Sequence, residues 1–307
     1  MKSSRFATDP ERRFVLYVPQ LESLLREAEG PPGLIDALTR GREPVALDPE
    51  SPQSELVAGR PLPAAALTRL LDRPGEAAGA WLRADPIGLV PDLAAVWLQA
   101  DDRFERGDWS RALVELLADE GLRLELTEGG RGYLPLDTTP ETRFAPPWAL
   151  AGRSLEHALP EGPGARRWQR LLNETQVVLH QHRKTAADGA AIPGSLWFWG
   201  GGSLPDLSEV APRVRGLVAA DPVLVGLAEW LGLPRRRFGA EVEPAAGLLV
   251  EWPARFEDSA GANLERLETF LRQAWRQLRM GRIRQLELAG IETVRRFSVR
   301  DAWRFWR

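Results

Sequence analysis

LLVEW at Leu248–Trp252 and IRQLEL at Ile283–Leu288, joined by a helical pattern over Asn263–Met280, decide the fold class. Both flanking runs are short, apolar and strand-like. Between them Leu264, Leu267, Leu271, Trp275 and Leu278 recur at three- and four-residue spacing and share one helical face. Gly281 follows where a left-handed helix cap belongs. Strands alternating with helices in this way argue an α/β fold, a mixed or mostly parallel sheet flanked by helices.

The same alternation extends outward in both directions. RFVLYV (Arg13–Val18), closed by Pro19, suits a buried strand in a central or parallel position. VRGLVA (Val214–Ala219) is strand-like and leads to a helix with Asp221 as cap and Pro222 in its first turn. Leu34–Arg40 and Pro63–Asp72 are helical, and the Pro-, Ser- and Gly-rich stretch Pro49–Pro63 between them is expected to be a surface loop. Further on come an apolar run at Leu93–Leu98 and a helix at Ser110–Asp119 with Ser110 as its cap. LRLELT and GYLPL around Glu128–Arg131 read as a hairpin, with Pro135 making the second strand an edge strand or ending it early. Pro140, Pro146 and Pro147 mark a loop. We therefore expect one α/β domain over 1–307, or two lobes with a seam near 137–150. No repeat of 20 to 50 residues is visible.

Composition excludes more than it assigns. The 307 residues carry 43 acids against 40 basic residues, a formal net charge of -3, so no global field draws the chain to nucleic acid or anionic lipid. There is no cysteine, hence no disulfide, thiolate nucleophile or iron–sulfur ligation. Lys2 and Lys184 are the only lysines, which leaves little room for Schiff-base chemistry. No run approaches the ~18 apolar residues of a membrane span and the N-terminus lacks an apolar leader, so the chain is expected in the cytoplasm.

Few residues point to chemistry. His180 and His182 would share a face on a strand, but on a helix they diverge by about 200°, which argues against a shared metal. His157 has no visible partner, and Asp101–Asp102 read as solvated loop carboxylates. From Glu265 to Arg307 there are eleven arginines against five acids, interleaved with Trp275, Trp303, Phe305 and Trp306. An amphipathic helix whose outer arginines pair with Glu265, Glu268 and Glu287 accounts for that tract without a nucleic-acid partner.

The least ordinary text is SLWFWGGGSLP (Ser195–Pro205). Trp197 and Trp199 point one way, Leu196 and Phe198 the other, so the strand should be buried on both faces. Gly200, Gly201 and Gly202 follow; they serve either a tight strand exit or a loop whose bare amides meet a ligand. On the long helix Gly164–His182, Trp168, Leu171, Leu172, Thr175, Val178 and Leu179 make a core face, while Gln169, Asn173, Gln176 and His180 make a polar stripe. The site expected from these residues is a cleft with Trp197, Trp199 and Gly200–Gly202 as floor and rim, and Asn173, Gln176 and His180 opposite as neutral donors and acceptors.

WLRADPIGLVPD (Trp81–Asp92), GRSLEHALPEG (Gly152–Gly162), WQRLLNETQVVLHQH (Trp168–His182) and GSLWFWGGGSLP (Gly194–Pro205) together resemble the bacterial RpfE-type regulatory proteins, often labelled cofactor-independent phosphoglycerate mutase. That resemblance implies an alkaline-phosphatase-like core. Where the family usually has P-V-H-L, this chain has Pro86-Ile87-Gly88-Leu89; Gly194 stands for an Asn, and His182-Arg183-Lys184-Thr185 for H-P-V-N. A two-metal phosphomutase also needs a Ser or Thr nucleophile and clustered Asp and His ligands, with an Asp ending the first strand, and here Pro19-Gln20 end it. The expectation is a cytoplasmic regulatory or binding protein without catalytic metals or other cofactor, acting on a protein partner or small ligand. The alternative is a metal-dependent mutase or phosphatase.

Overall fold

The structure, a computed structural model, describes residues 12–91, 96–99, 107–150, 158–185, 192–239, 241–255 and 257–304. His157 and the Asp101–Asp102 pair lie outside them. The chain forms two compact units, one of Met1–Pro61 with Asp206–Arg307, the other of Leu62–Pro205. The loop 137–150 runs inside the second unit. No helix among the described residues is long and apolar enough to cross a membrane.

The first unit begins with β1 (Arg13–Tyr17), α1 (Leu21–Glu27), α2 (Gly33–Arg40), β2 (Val45–Ala46) and α3 (Pro52–Ala58). Pro49–Pro63 is therefore not the surface loop expected. Pro52 opens α3, Gly59 closes it in the left-handed conformation, and Gln53, Ser54, Leu56 and Val57 are buried. A Pro at the first turn and a Gly just past the last are helix signals, which the stretch's Pro and Gly content obscured.

The second unit contributes α4 (Ala64–Asp72), β3 (Ala80–Pro91), β4 (Val96–Gln99), α5 (Asp108–Asp119), β5 (Glu125–Leu126), β6 (Gly132–Leu136), α6 (Ala165–Thr185) and β7 (Ser195–Gly202). The chain then returns to the first unit with β8 (Gly216–Val218), α7 (Pro222–Leu231), β9 (Arg235–Arg236), β10 (Leu248–Glu251), α8 (Ala260–Arg279), β11 (Gln285–Ala289), β12 (Thr293–Ser298) and α9 (Val299–Arg304).

The sheet of the first unit has the order β2-β12-β11-β1-β10-β8-β9. The run β11-β1-β10-β8-β9 is parallel, and β12 and β2 add antiparallel at one edge. All five residues of β1 are buried, as its central place requires. Phe14, Leu16, Val218, Val250, Leu286 and Leu288 share one core with Leu264, Leu267, Phe270 and Leu271 of α8 and with α1 and α2. The opposite face carries Arg13, whose guanidinium donates to the Leu56 carbonyl of α3 at 2.8 Å and pairs with buried Glu287. Because α3 packs on α7, the connection leaving β8 turns to that face, while the one leaving β10 turns to the α8 face. Neighbouring strands whose connections part in this way open a crevice at their carboxyl ends.

In the second unit β3 is central: β6 pairs its start, β4 its end, and β7 its other edge. The expected hairpin is β5–β6, and β6 lies between β3 and β5 rather than at the edge. Pro135 is tolerated there because β5 pairs only Gly132 and Tyr133. The N-cap of α5 is Gly107; Ser110 lies in its first turn and its hydroxyl donates to the Gly107 carbonyl at 2.6 Å.

Candidate functional site

The strand β7 is buried as its sequence requires, and its two faces do different work. Phe198 meets the Trp168 ring of α6 at 5.1 Å, and the Leu196 amide donates to Thr175 Oγ1. On the other face Trp199 lies 5.0 Å from Trp148 and donates its indole N–H to Asp85 at 2.7 Å. The glycines build a bulge. Trp81 pairs with Gly202 and Arg83 with Trp199, so two steps on β3 oppose three on β7. Gly200 takes the left-handed conformation there, φ +64°, as a glycine bulge requires.

All three glycines are closely packed by the chain itself. A Cβ would lie 2.9 Å from Ala64 Cβ at Gly200, 2.9 Å from Leu82 at Gly201 and 3.0 Å from Pro63 at Gly202. The helix α6 turns Trp168, Leu171, Leu172, Thr175 and Leu179 inward, while Asn173 and His180 are exposed and Gln169 and Gln176 half-buried. That polar stripe sits about 110° around the helix from the buried face. The structure thus brings Trp197, Trp199 and the glycines together in one packed strand, and sets Asn173, Gln176 and His180 on the less buried side of the helix that packs on it.

What the bulge aims is a charged, aromatic cluster. Arg83 forks onto Asp85, donates to Thr68 Oγ1 at 3.0 Å and stacks 4.9 Å from the Trp199 ring. Asp72 accepts from the Tyr133 hydroxyl at 2.6 Å and from Arg131 Nε at 2.7 Å. Burial would raise the Asp72 carboxyl, but the bonds from Arg131 and Tyr133 outweigh it and hold the carboxyl below the usual range. With its carboxylates matched to guanidinium and phenol, this cluster joins α4, β3 and β6 and reads as structural.

The carboxyl ends of the parallel strands hold a different set. Tyr17 ends β1, pairs with Glu251 at the end of β10, and is completely buried, with no partner on its hydroxyl among the described residues. Asp221 follows β8 and caps α7, accepting from the amides of Val223 at 2.8 Å and Leu224 at 3.0 Å. Glu251 accepts from the amides of Ala220 at 2.7 Å and Asp221 at 2.9 Å. Gln53, 1% exposed, bonds Asp221, and its carbonyl oxygen has no partner among the described residues. Burial first, and then Glu251, push the Asp221 carboxyl up to about 6 against the opposing backbone amides and Gln53. Burial, with Asp221, Glu251 and Glu22, likewise raises the Tyr17 hydroxyl. These groups stand where the connections of β8 and β10 part, the position at which open α/β sheets bind ligands. Sequence reasoning used Asp221 only as a helix cap and missed Tyr17, Gln53 and Glu251, because the register that gathers them is tertiary.

A two-metal site does not fit these residues. The turns after the strands read Val18-Pro19-Gln20, Ala219-Ala220-Asp221, Trp252-Pro253-Ala254 and Gly290-Ile291-Glu292. Among the described residues no three His, Asp or Glu side chains are grouped to hold a metal. Asp221 and Glu251 are already engaged by backbone amides, and His180 and His182 lie on α6 in the other unit.

No protein-family profile matches the chain. Over 126 residues it is 32% identical to a probable 2,3-bisphosphoglycerate-independent phosphoglycerate mutase of Geobacter sulfurreducens, covering 40% of this chain and 31% of that protein. Over 195 residues it is 27% identical to the 2,3-bisphosphoglycerate-independent phosphoglycerate mutase of Methanosarcina acetivorans, covering 59% of this chain and 45% of that one. The chain thus spans less than half the length of these relatives. Among solved structures it aligns with the cofactor-independent phosphoglycerate mutase of Thermoplasma acidophilum at 16% identity and a TM-score of 0.35, over 93% of this chain and 89% of the other. The sequence matches show that the chain shares phosphoglycerate-mutase-like ancestry.

Proposed function

We propose that the chain is a regulatory or ligand-binding protein of the RpfE type, descended from a phosphoglycerate-mutase-like ancestor and acting in the cytoplasm without catalytic metals. The observation that carries this reading is the donor set at the carboxyl ends of β1, β8 and β10. Its carboxylates are capped by backbone amides, and the buried groups left unsatisfied there include the Tyr17 hydroxyl and the Gln53 carbonyl oxygen, with Gln20 Oε1 in the turn after β1. Hydroxyl and amide groups recognise a ligand by hydrogen bonding, whereas phosphoryl transfer by this kind of core calls for a metal-activated nucleophile. A protein partner or a small ligand is the expected target. The net charge of -3 speaks against nucleic acid.

The alternative, a metal-dependent cofactor-independent mutase or phosphatase, is favoured by the names of the relatives. Elemental analysis of the purified chain, with phosphoglycerate isomerisation and aryl-phosphate hydrolysis assayed in added manganese, separates the two. Substoichiometric metal and no turnover are expected. Stoichiometric manganese or zinc with turnover would overturn the proposal.

A further inference from the structure

The arginine-rich end of the chain builds a surface that the sheet-edge site does not use. A groove of about 570 Å³ in the first unit is floored by Leu34, Trp275, Met280 and Trp303 and edged by Arg272, Arg276 and Arg279 of α8. Met280 is 50% exposed and Trp303 59%. The three arginines follow one another at four- and three-residue spacing, which sets them in one row along the helix about 10 Å long. Among the described residues no carboxylate lines the groove. The nearest on the helix is Glu268, which pairs with Arg272 and accepts the amides of Leu34 and Ile35, so it ties α2 to α8. Arg279 stacks 4.9 Å above the Trp303 ring, which orders both side chains at the groove's end.

We infer that this groove docks an acidic segment of a partner protein, with carboxylates spaced about one aromatic or long aliphatic anchor. The apolar floor takes the anchor and excludes water around it, while Arg276, with Arg272 one turn before it, presents its guanidinium fork to the flanking carboxylates. Tryptophan and arginine are the residue types that carry binding energy at protein interfaces, and methionine adapts to the side chain it meets. A nucleic-acid backbone would engage the arginines and leave Leu34 and Met280 without a role. The inference goes beyond the functional reading above, and its test does not depend on metal content or turnover.

The test uses the full chain and a fluorescein-labelled synthetic peptide of Glu and Asp residues around a central Phe-Leu pair, read by fluorescence anisotropy. Saturable binding that weakens with salt is expected. Arg276→Glu and Trp303→Ala should each weaken it by about tenfold or more, with circular dichroism unchanged. Arg111→Glu on exposed α5 should leave it intact, and replacing the Phe-Leu pair by Ser-Ser should abolish it. Absent peptide binding, or equal binding by all variants, would overturn the inference. So would groove-dependent binding of single-stranded RNA in place of the peptide, or a self-association that Trp303→Ala dissolves without any peptide binding.

Discussion

Gly200→Ala tests whether the glycine triplet exists for packing. At φ +64° an alanine in place of Gly200 pays the left-handed penalty of about 1–2 kcal/mol. Its Cβ would stand 2.9 Å from Ala64 Cβ, part of a helix end that cannot move aside cheaply, which adds about 1–3 kcal/mol of overpacking. The stiffer unfolded chain returns roughly 0.4–1 kcal/mol, leaving a net destabilisation of about 1–5 kcal/mol, centred near 3. Gly201→Ala is the internal comparison: its φ is not positive, and the nearest atom is the end of the flexible Leu82 side chain. That change should cost about 1 kcal/mol or less. Urea denaturation followed by far-UV circular dichroism and tryptophan fluorescence reads both values. If Gly200→Ala is neutral, or no worse than Gly201→Ala, the bulge is not what holds these glycines, and a binding role for their amides returns.

Three further outcomes are expected. Leu179→Asp should cost more than about 4 kcal/mol and aggregate or unfold the protein, because Leu179 is wholly buried, whereas His180→Asp and Asn173→Leu on the exposed stripe should leave the thermal midpoint unchanged. Trp199→Phe should destabilise by about 1–2 kcal/mol, since it removes the indole N–H from the Asp85 carboxylate but leaves Arg83 in place; an unaltered urea midpoint would show the bond to be energetically idle. The third concerns pH. Asp221 titrates near 6 when folded, above the unfolded value near 3.9, so its favourable contribution is complete below about pH 4 and lost as pH rises through 6. Asp221→Asn keeps a capping oxygen and cannot ionise, so its stability advantage over the parent should grow from pH 4 to pH 7, to at most about 3 kcal/mol. A difference that stays constant, or shrinks, across that range would refute the assignment.

The periodic segments are legible in the sequence itself. A central strand at Arg13–Tyr17, the β10–α8–β11 unit, the Asp221–Pro222 helix start and the doubly buried β7 all follow from local pattern, because burial on one face or two dictates which residues alternate. The α/β class and the absence of cysteine chemistry follow in the same way. Other features depended on contacts between distant parts of the chain. Whether Gly200–Gly202 formed a bulge or a ligand loop turned on which backbone approached them, and Pro63, Ala64 and Leu82 are distant in sequence. The helix α3 was hidden by its own Pro and Gly content, although those residues mark its ends. The site at the sheet edge needed the parallel register of β1, β10 and β8 before Tyr17, Gln53, Asp221 and Glu251 could be neighbours. Periodicity reports which face of an element is buried; it carries no information about what meets that face, and a binding site is made of such meetings.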